Sequence, residues 1–158
     1  MSPPPDNDLD ALAAYFEDLA GDLSPAARRR LGQQIAREIR ASQSARIAAQ
    51  EDPEGEPFAP RSRPPYRLRR RAGALRDKGP MFAKLRTAKH LKASATADEA
   101  VVGFTGRAAR IASTSQYGLR ENIGRGIIAR YPERRLLGLT DDERAAIMDR
   151  VLAALAEL

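Results

Sequence analysis

Between residues 51 and 80 the chain carries six prolines and three glycines, few large apolar side chains and no helical period. Proline fixes φ and supplies no N–H, so neither a helix nor a central strand runs through such a stretch. Arg61, Arg63, Arg67, Arg69, Arg70, Arg71, Arg76 and Lys78 place eight bases in eighteen residues, against the single acid Asp77. The segment is too long for an ordinary loop in a compact domain. It reads as a projecting arm or extended hairpin. Alone it buries too little apolar surface to offset its ordering entropy, so it is expected to order on a partner.

The arm separates a helical part from a mixed one. Residues 1–5 are a flexible, Pro-rich lead-in, and residues 6–158 form one domain, in keeping with a length of 158 residues. Asp6 or Asn7 caps a first helix, on which Leu9, Leu12, Ala13, Phe16, Leu19 and Ala20 make one apolar stripe ending near Gly21. Ser24-Pro25 restarts a helix that runs to about Gln50, with the stripe Ala27, Leu31, Ile35, Ile39, Ser42, Ala45 and Ala49. Its back is rich in arginine.

Beyond the arm, Met81–Ala88 reads as a short amphipathic piece with Phe82 and Leu85 inward. Leu91, Ala93 and Ala95 alternate with Lys92 and Ser94, a strand that turns at Ala97-Asp98 into a second one, Ala100–Phe104. Gly106 opens a short helix with Ala108, Ile111, Ala112 and Ser115 on one face, and Gly118 closes it. Gly124–Arg130 reads as a further strand. Thr140-Asp141-Asp142-Glu143 matches a capping box and starts a last helix, with Ile147, Val151, Ala154, Leu155 and Leu158 facing the core. The fold class is α+β: a small antiparallel or mixed sheet packed by the long helix and the C-terminal helix, with the basic arm extended. Leu31, Ile35, Ile39, Val102, Phe104, Ile111, Val151 and Leu155 are the expected core. With no Trp and 5% aromatic residues, that core is aliphatic.

Charge is unevenly spread. Residues 1–27 hold six acids and no base, residues 28–140 hold 25 bases against 10 acids, and the last 18 residues are net acidic. Such a chain suits an anionic partner or head-to-tail docking with its own copies. The absence of Cys excludes thiolate chemistry and disulfides and fits a reducing cytoplasm. His90, the one histidine, stands between lysines and reads as a surface residue. Ser113, Thr114 and Ser115 have no activating base in view. Gly103-Phe104-Thr105-Gly106 lacks the ending of a phosphate loop and reads as a tight turn. No apolar run approaches the ~20 residues that span a bilayer, and no signal-peptide core follows Met1. No metal, cofactor or enzymatic role is expected. An arginine fork pairs with carboxylates as well as with phosphates. A protein partner is favoured for the arm, with a small nucleic-acid-binding protein as the alternative.

The order of several segments resembles a known family. These are Leu23-Ser24-Pro25, Arg46-Ile47-Ala48-Ala49-Gln50, Pro53-Glu54-Gly55-Glu56-Pro57-Phe58-Ala59-Pro60-Arg61 and Met81-Phe82-Ala83-Lys84-Leu85-Arg86. Val102-Gly103-Phe104, Gln116-Tyr117-Gly118, Arg130-Tyr131-Pro132 and Leu136-Leu137-Gly138-Leu139-Thr140 follow. Together they are similar to the phage virion morphogenesis, or tail completion, family of Mu-like contractile-tailed phages, over about residues 20–155. The family often has a His before the Gln-aromatic-Gly turn; Ser115 stands here, which argues against catalysis at the turn. The resemblance implies a structural tail completion or terminator protein of the virion neck, assembled in the host cytoplasm. It implies a homo-oligomeric ring of six subunits at the head-proximal end of the tail, enabling head–tail joining. Its partners would be tail tube or sheath proteins and connector proteins, with DNA only passing through the channel. Arg107, Arg110, Arg120 and Arg125 are candidates to line that channel or to pair with acids across subunit boundaries.

Overall fold

The computed structural model describes Gly21, residues 23–61 and residues 79–157. The helix expected over 6–20 lies outside them, as do Arg63, Arg67, Arg69, Arg70, Arg71, Arg76 and Lys78 of the arm. The described residues form an α+β fold in the order α1 (Pro25–Ala49), β1 (Leu91–Ala95), β2 (Ala100–Phe104), α2 (Arg107–Gln116), β3 (Arg120–Asn122), β4 (Ile128–Arg130) and α3 (Asp141–Ala156).

Helix α1 begins where its sequence dictates. Ser24 Oγ accepts from the Ala27 N–H at 3.2 Å, and Pro25 occupies the first turn. Gln50 ends it in the left-handed region, φ 65°. The buried row is Ala36, Ile39, Gln43 and Ile47. The expected stripe left this row after Ile39 because position 43 is polar. Ala45 and Ala49 are exposed, while Ile47 is completely buried.

β1 and β2 pair antiparallel, Leu91 opposite Phe104 and Ala95 opposite Ala100. Thr96 shapes the turn, its hydroxyl accepting from the Asp98 and Glu99 N–H groups. Helix α1 packs on this hairpin and approaches it closely at Gly32, where a Cβ would stand 3.0 Å from that of Ala95. Helix α3 lies along α1 rather than flat on the hairpin, its start clasped to Ser42 and Arg46 and its middle tied by Arg150 to Glu38 at 2.8 Å.

Ile47, Phe58, Ala112 and Leu136 form the central cluster, with Met81, Phe82, Phe104 and Leu137 packed against it. Phe58 and Phe82 meet edge to face, 5.9 Å between centroids. Phe82 has φ 62°, so the segment after the arm is a run of turns and not a regular helix. Ile111 departs from its expected place. Helix α2 faces inward through Ala108, Ala112, Thr114 and Ser115, which leaves Ile111 at the flank and 49% exposed. The strand expected over 124–130 is shorter, and its partner β3 precedes it. Residues between them form the tip, with φ positive at Gly124, Arg125 and Gly126. β3 and β4 make a second two-stranded sheet, separate from the first.

Candidate interaction surface

Among the described residues, six of the nine exposed large hydrophobic side chains fall between residues 111 and 128: Ile111, Tyr117, Leu119, Ile123, Ile127 and Ile128. They belong to α2, the β3–β4 hairpin and the turn that joins the two. Tyr117 and Ile128 are each 68% exposed. An isolated two-stranded hairpin is marginal in water, and both of its edges offer unpaired backbone groups. Apolar side chains concentrated on such an element make it a candidate docking surface.

Local chemistry holds this surface in place. Arg110 of α2 reaches Glu121 of β3 at 2.5 Å, tying the hairpin to the helix. Asn122 Oδ1 accepts from the Gly124 N–H at 2.9 Å and shapes the tip. At the root, Gly118 has φ 59°, and a Cβ there would stand 3.0 Å from the Glu133 nitrogen and 3.2 Å from the Tyr131 carbonyl oxygen. Only glycine fits that turn without strain. Gln116 fixes the irregular segment that follows the hairpin: its Oε1 accepts from the Leu136 and Leu137 N–H groups, and its Nε2 donates to the Leu137 carbonyl.

The base of the arm is a second built feature. Buried Arg134 donates through Nε to the Ala59 carbonyl at 2.7 Å and through Nη2 to the Pro60 carbonyl at 2.8 Å. Its burial, with Arg61 nearby, lowers its pKa. On the returning side, Gln50 Oε1 accepts from the Met81 N–H at 2.6 Å while Nε2 donates to the Met81 carbonyl. Arg61 Nη2 donates to the Pro80 carbonyl at 3.3 Å. The chain therefore leaves and returns at one fixed point.

Arg107, Arg110, Arg120 and Arg125 all belong to the α2 and hairpin module and are exposed. Arg110 is paired within its own chain; the other three make no ion pair among the described residues. Of the arm bases only Arg61 lies within the described residues. The Gly103–Gly106 segment is a strand-to-helix turn, in which the Thr105 N–H donates to the His90 carbonyl at 3.0 Å. No group of three His, Asp or Glu gathers among the described residues. None of their helices is long and apolar enough to cross a membrane. The sequence reading missed Gln50, Gln116 and Arg134. They are single polar residues whose partners are backbone atoms in distant loops, and no periodicity marks them.

The family model described as phage virion morphogenesis matches residues 7–156 of the chain. The chain is also similar to tail completion protein S of Escherichia phage P2, 40% identical over 146 residues that cover 89% of this chain and 95% of that protein. No solved structure matches.

Proposed function

The chain belongs to the phage virion morphogenesis family, and on that premise we propose that it is a structural tail completion protein of the virion, acting at the head-proximal end of the tail. Copies join into a ring, six to match a tail tube, through α2 and the β3–β4 hairpin. The exposed apolar side chains of these elements carry the reading, because a ring contact would cover them and pair a hairpin edge. The arm, closed at its base by Arg134 and Gln50, clasps the next subunit or the adjoining ring through its bases. Tube, sheath or connector proteins meet the assembled ring, and DNA passes through its channel only transiently. The role is structural rather than enzymatic: at the Gln116-Tyr117-Gly118 turn the side-chain amide is committed to backbone bonds, and Ser115 is buried.

Sedimentation velocity of the purified chain tests this. A discrete assembly several times the 17.3 kDa chain mass is expected. Ile123→Asp with Ile128→Asp should weaken that assembly at least ~10-fold, since a buried unpaired charge is strongly unfavourable. Leu152→Asp, on α3, should not. Removing residues 62–78 should leave a folded chain that assembles poorly. A chain that stays monomeric at high concentration, or a hairpin double variant that assembles normally, overturns the proposal.

A further inference from the structure

Helix α3 is not satisfied by what packs against it. Its only buried side chain is Glu143, while Ile147, Val151 and Leu155 make an apolar row that is only half-buried. A helix with such a row requires a second surface to cover it. Opposite lie Leu31 and Ile35 of α1, and together with Leu23 and the turn of the first hairpin they enclose a groove of about 430 Å³.

We propose that residues 9–20 of the same chain dock in this groove as an amphipathic helix. Four observations select that occupant. The stripe of Leu9, Leu12, Ala13, Phe16, Leu19 and Ala20 supplies apolar side chains at helical spacing. A twelve-residue helix is about 18 Å long, enough to cover the roughly 12 Å of α3 from Ile147 to Leu155. Leu23, buried in the lining of the groove, is separated from Ala20 only by Gly21 and Asp22, so two residues of chain tether the segment to the groove. So short a tether gives it a high effective concentration there, well above that of another chain in dilute solution.

Charge supplies the fourth observation. Asp8, Asp10, Glu17, Asp18 and Asp22 share their stretch of sequence with no base, while α1 opens with Arg28, Arg29 and Arg30 and no acid in its first turn. Arg28 lines the groove. Its Nε is buried with no hydrogen-bond partner among the described residues, and its one ion pair there, to Asp98, is long at 3.9 Å. A carboxylate from the docked segment completes that guanidinium.

The chain has no cysteine, which allows paired substitution in the full-length protein. Phe16→Cys is combined in separate variants with Ile147→Cys, Val151→Cys or Leu155→Cys, and each is treated with a short bismaleimide. At least one pair should link efficiently within a single chain, running at monomer mass on a denaturing gel. Links between two chains would make a second copy the occupant and overturn the proposal, as would linkage by none of the pairs. Because cysteines in the groove disturb its packing, a second measurement leaves the groove intact. In Phe16→Asp, amide exchange over residues 147–155 should accelerate at least ~10-fold relative to the parent chain. Unchanged exchange overturns the proposal.

Discussion

Leu136 and Ile128 stand eight residues apart at opposite extremes of the molecule. Leu136 lies in a segment with no regular secondary structure and is completely buried; Ile128 sits in a hydrogen-bonded strand and is two-thirds exposed. Regular backbone pairing and anchorage are therefore separate properties here. The irregular segment from Tyr131 to Thr140 is held by side chains that reach it from elsewhere. Gln116 serves the Leu136 and Leu137 backbone, and Arg46 Nη2 donates to the Gly138 carbonyl at 2.7 Å. Gly138 itself is confined, since a Cβ would stand 2.6 Å from Pro53 Cγ. The hairpin has its own ladder, a side-chain tie to α2 through Glu121, a backbone bond from the Leu119 N–H to the Thr114 carbonyl, and little apolar cover. Buried polar side chains fix the loops of the core, and the regular hairpin is left with its apolar side chains in water.

The largest effect is expected where that core is fixed. Glu143 closes the capping box with Thr140, accepts from the Ser42 hydroxyl and pairs with Arg46 at 3.1 Å. Glu143→Ala leaves the largely buried Arg46 charge without its carboxylate and should cost roughly 3–5 kcal/mol in urea unfolding. Burial pushes the Glu143 carboxyl up, but the Ser42 hydroxyl, the Thr140 N–H and Arg46 together outweigh it and hold it below its ordinary value of 4.5. A depressed carboxyl stabilises the fold fully above that ordinary value and loses its contribution as the pH falls through the lower folded one. The stability gap between the parent chain and Glu143→Gln should thus stay constant above about pH 5 and narrow below about pH 4.5. A gap that widens in acid would mean that the carboxyl is held above its ordinary value.

A smaller effect is expected at the boundary between the two regions. Gly118→Ala combines a left-handed φ with a close approach to the Glu133 backbone. It should cost about 1–3 kcal/mol. The loss should appear as faster amide exchange on both sides of the turn, because the root of the hairpin and the start of the Tyr131–Thr140 segment share that contact. Exchange confined to the hairpin would show that the two regions are uncoupled.

What the sequence made legible follows the same division. The capping box at Thr140, the Ser24-Pro25 start and the alternation of Leu91–Ala95 are local signals, and each element stands where its residues place it. Ile47 escaped because Gln43 interrupts the hydrophobic row, although its amide is buried and donates to the Gly138 carbonyl at 3.4 Å. Leu136 escaped because an irregular segment has no period. β3 escaped because Arg-Glu-Asn carries no strand propensity; its pairing with Ile128–Arg130 comes from the turn between them. The same turn shows why the expected strand over 124–130 was too long: three successive residues with positive φ cannot continue a ladder. The concentration of apolar residues between 111 and 128 was visible in the sequence, but pattern reading assigns apolar residues to a core. Only the fold shows that α2 faces inward through its small residues and turns Ile111 outward.

The smallest effect on folding is expected at Ile128, and there it separates the two roles of an apolar side chain. Ile128→Ser removes apolar surface that is already largely in water, so the unfolding free energy of the isolated chain should change by no more than about 0.5 kcal/mol. If copies cover this face, the parent chain gains stability with concentration by mass action, and the variant does not. Thermal unfolding over a wide range of protein concentration distinguishes the cases. Coincident curves at the lowest concentration, with only the parent chain rising as concentration increases, mark Ile128 as a contact between subunits. A loss of several degrees at every concentration would instead make Ile128 part of the fold's own packing, and the contrast with Leu136 would collapse.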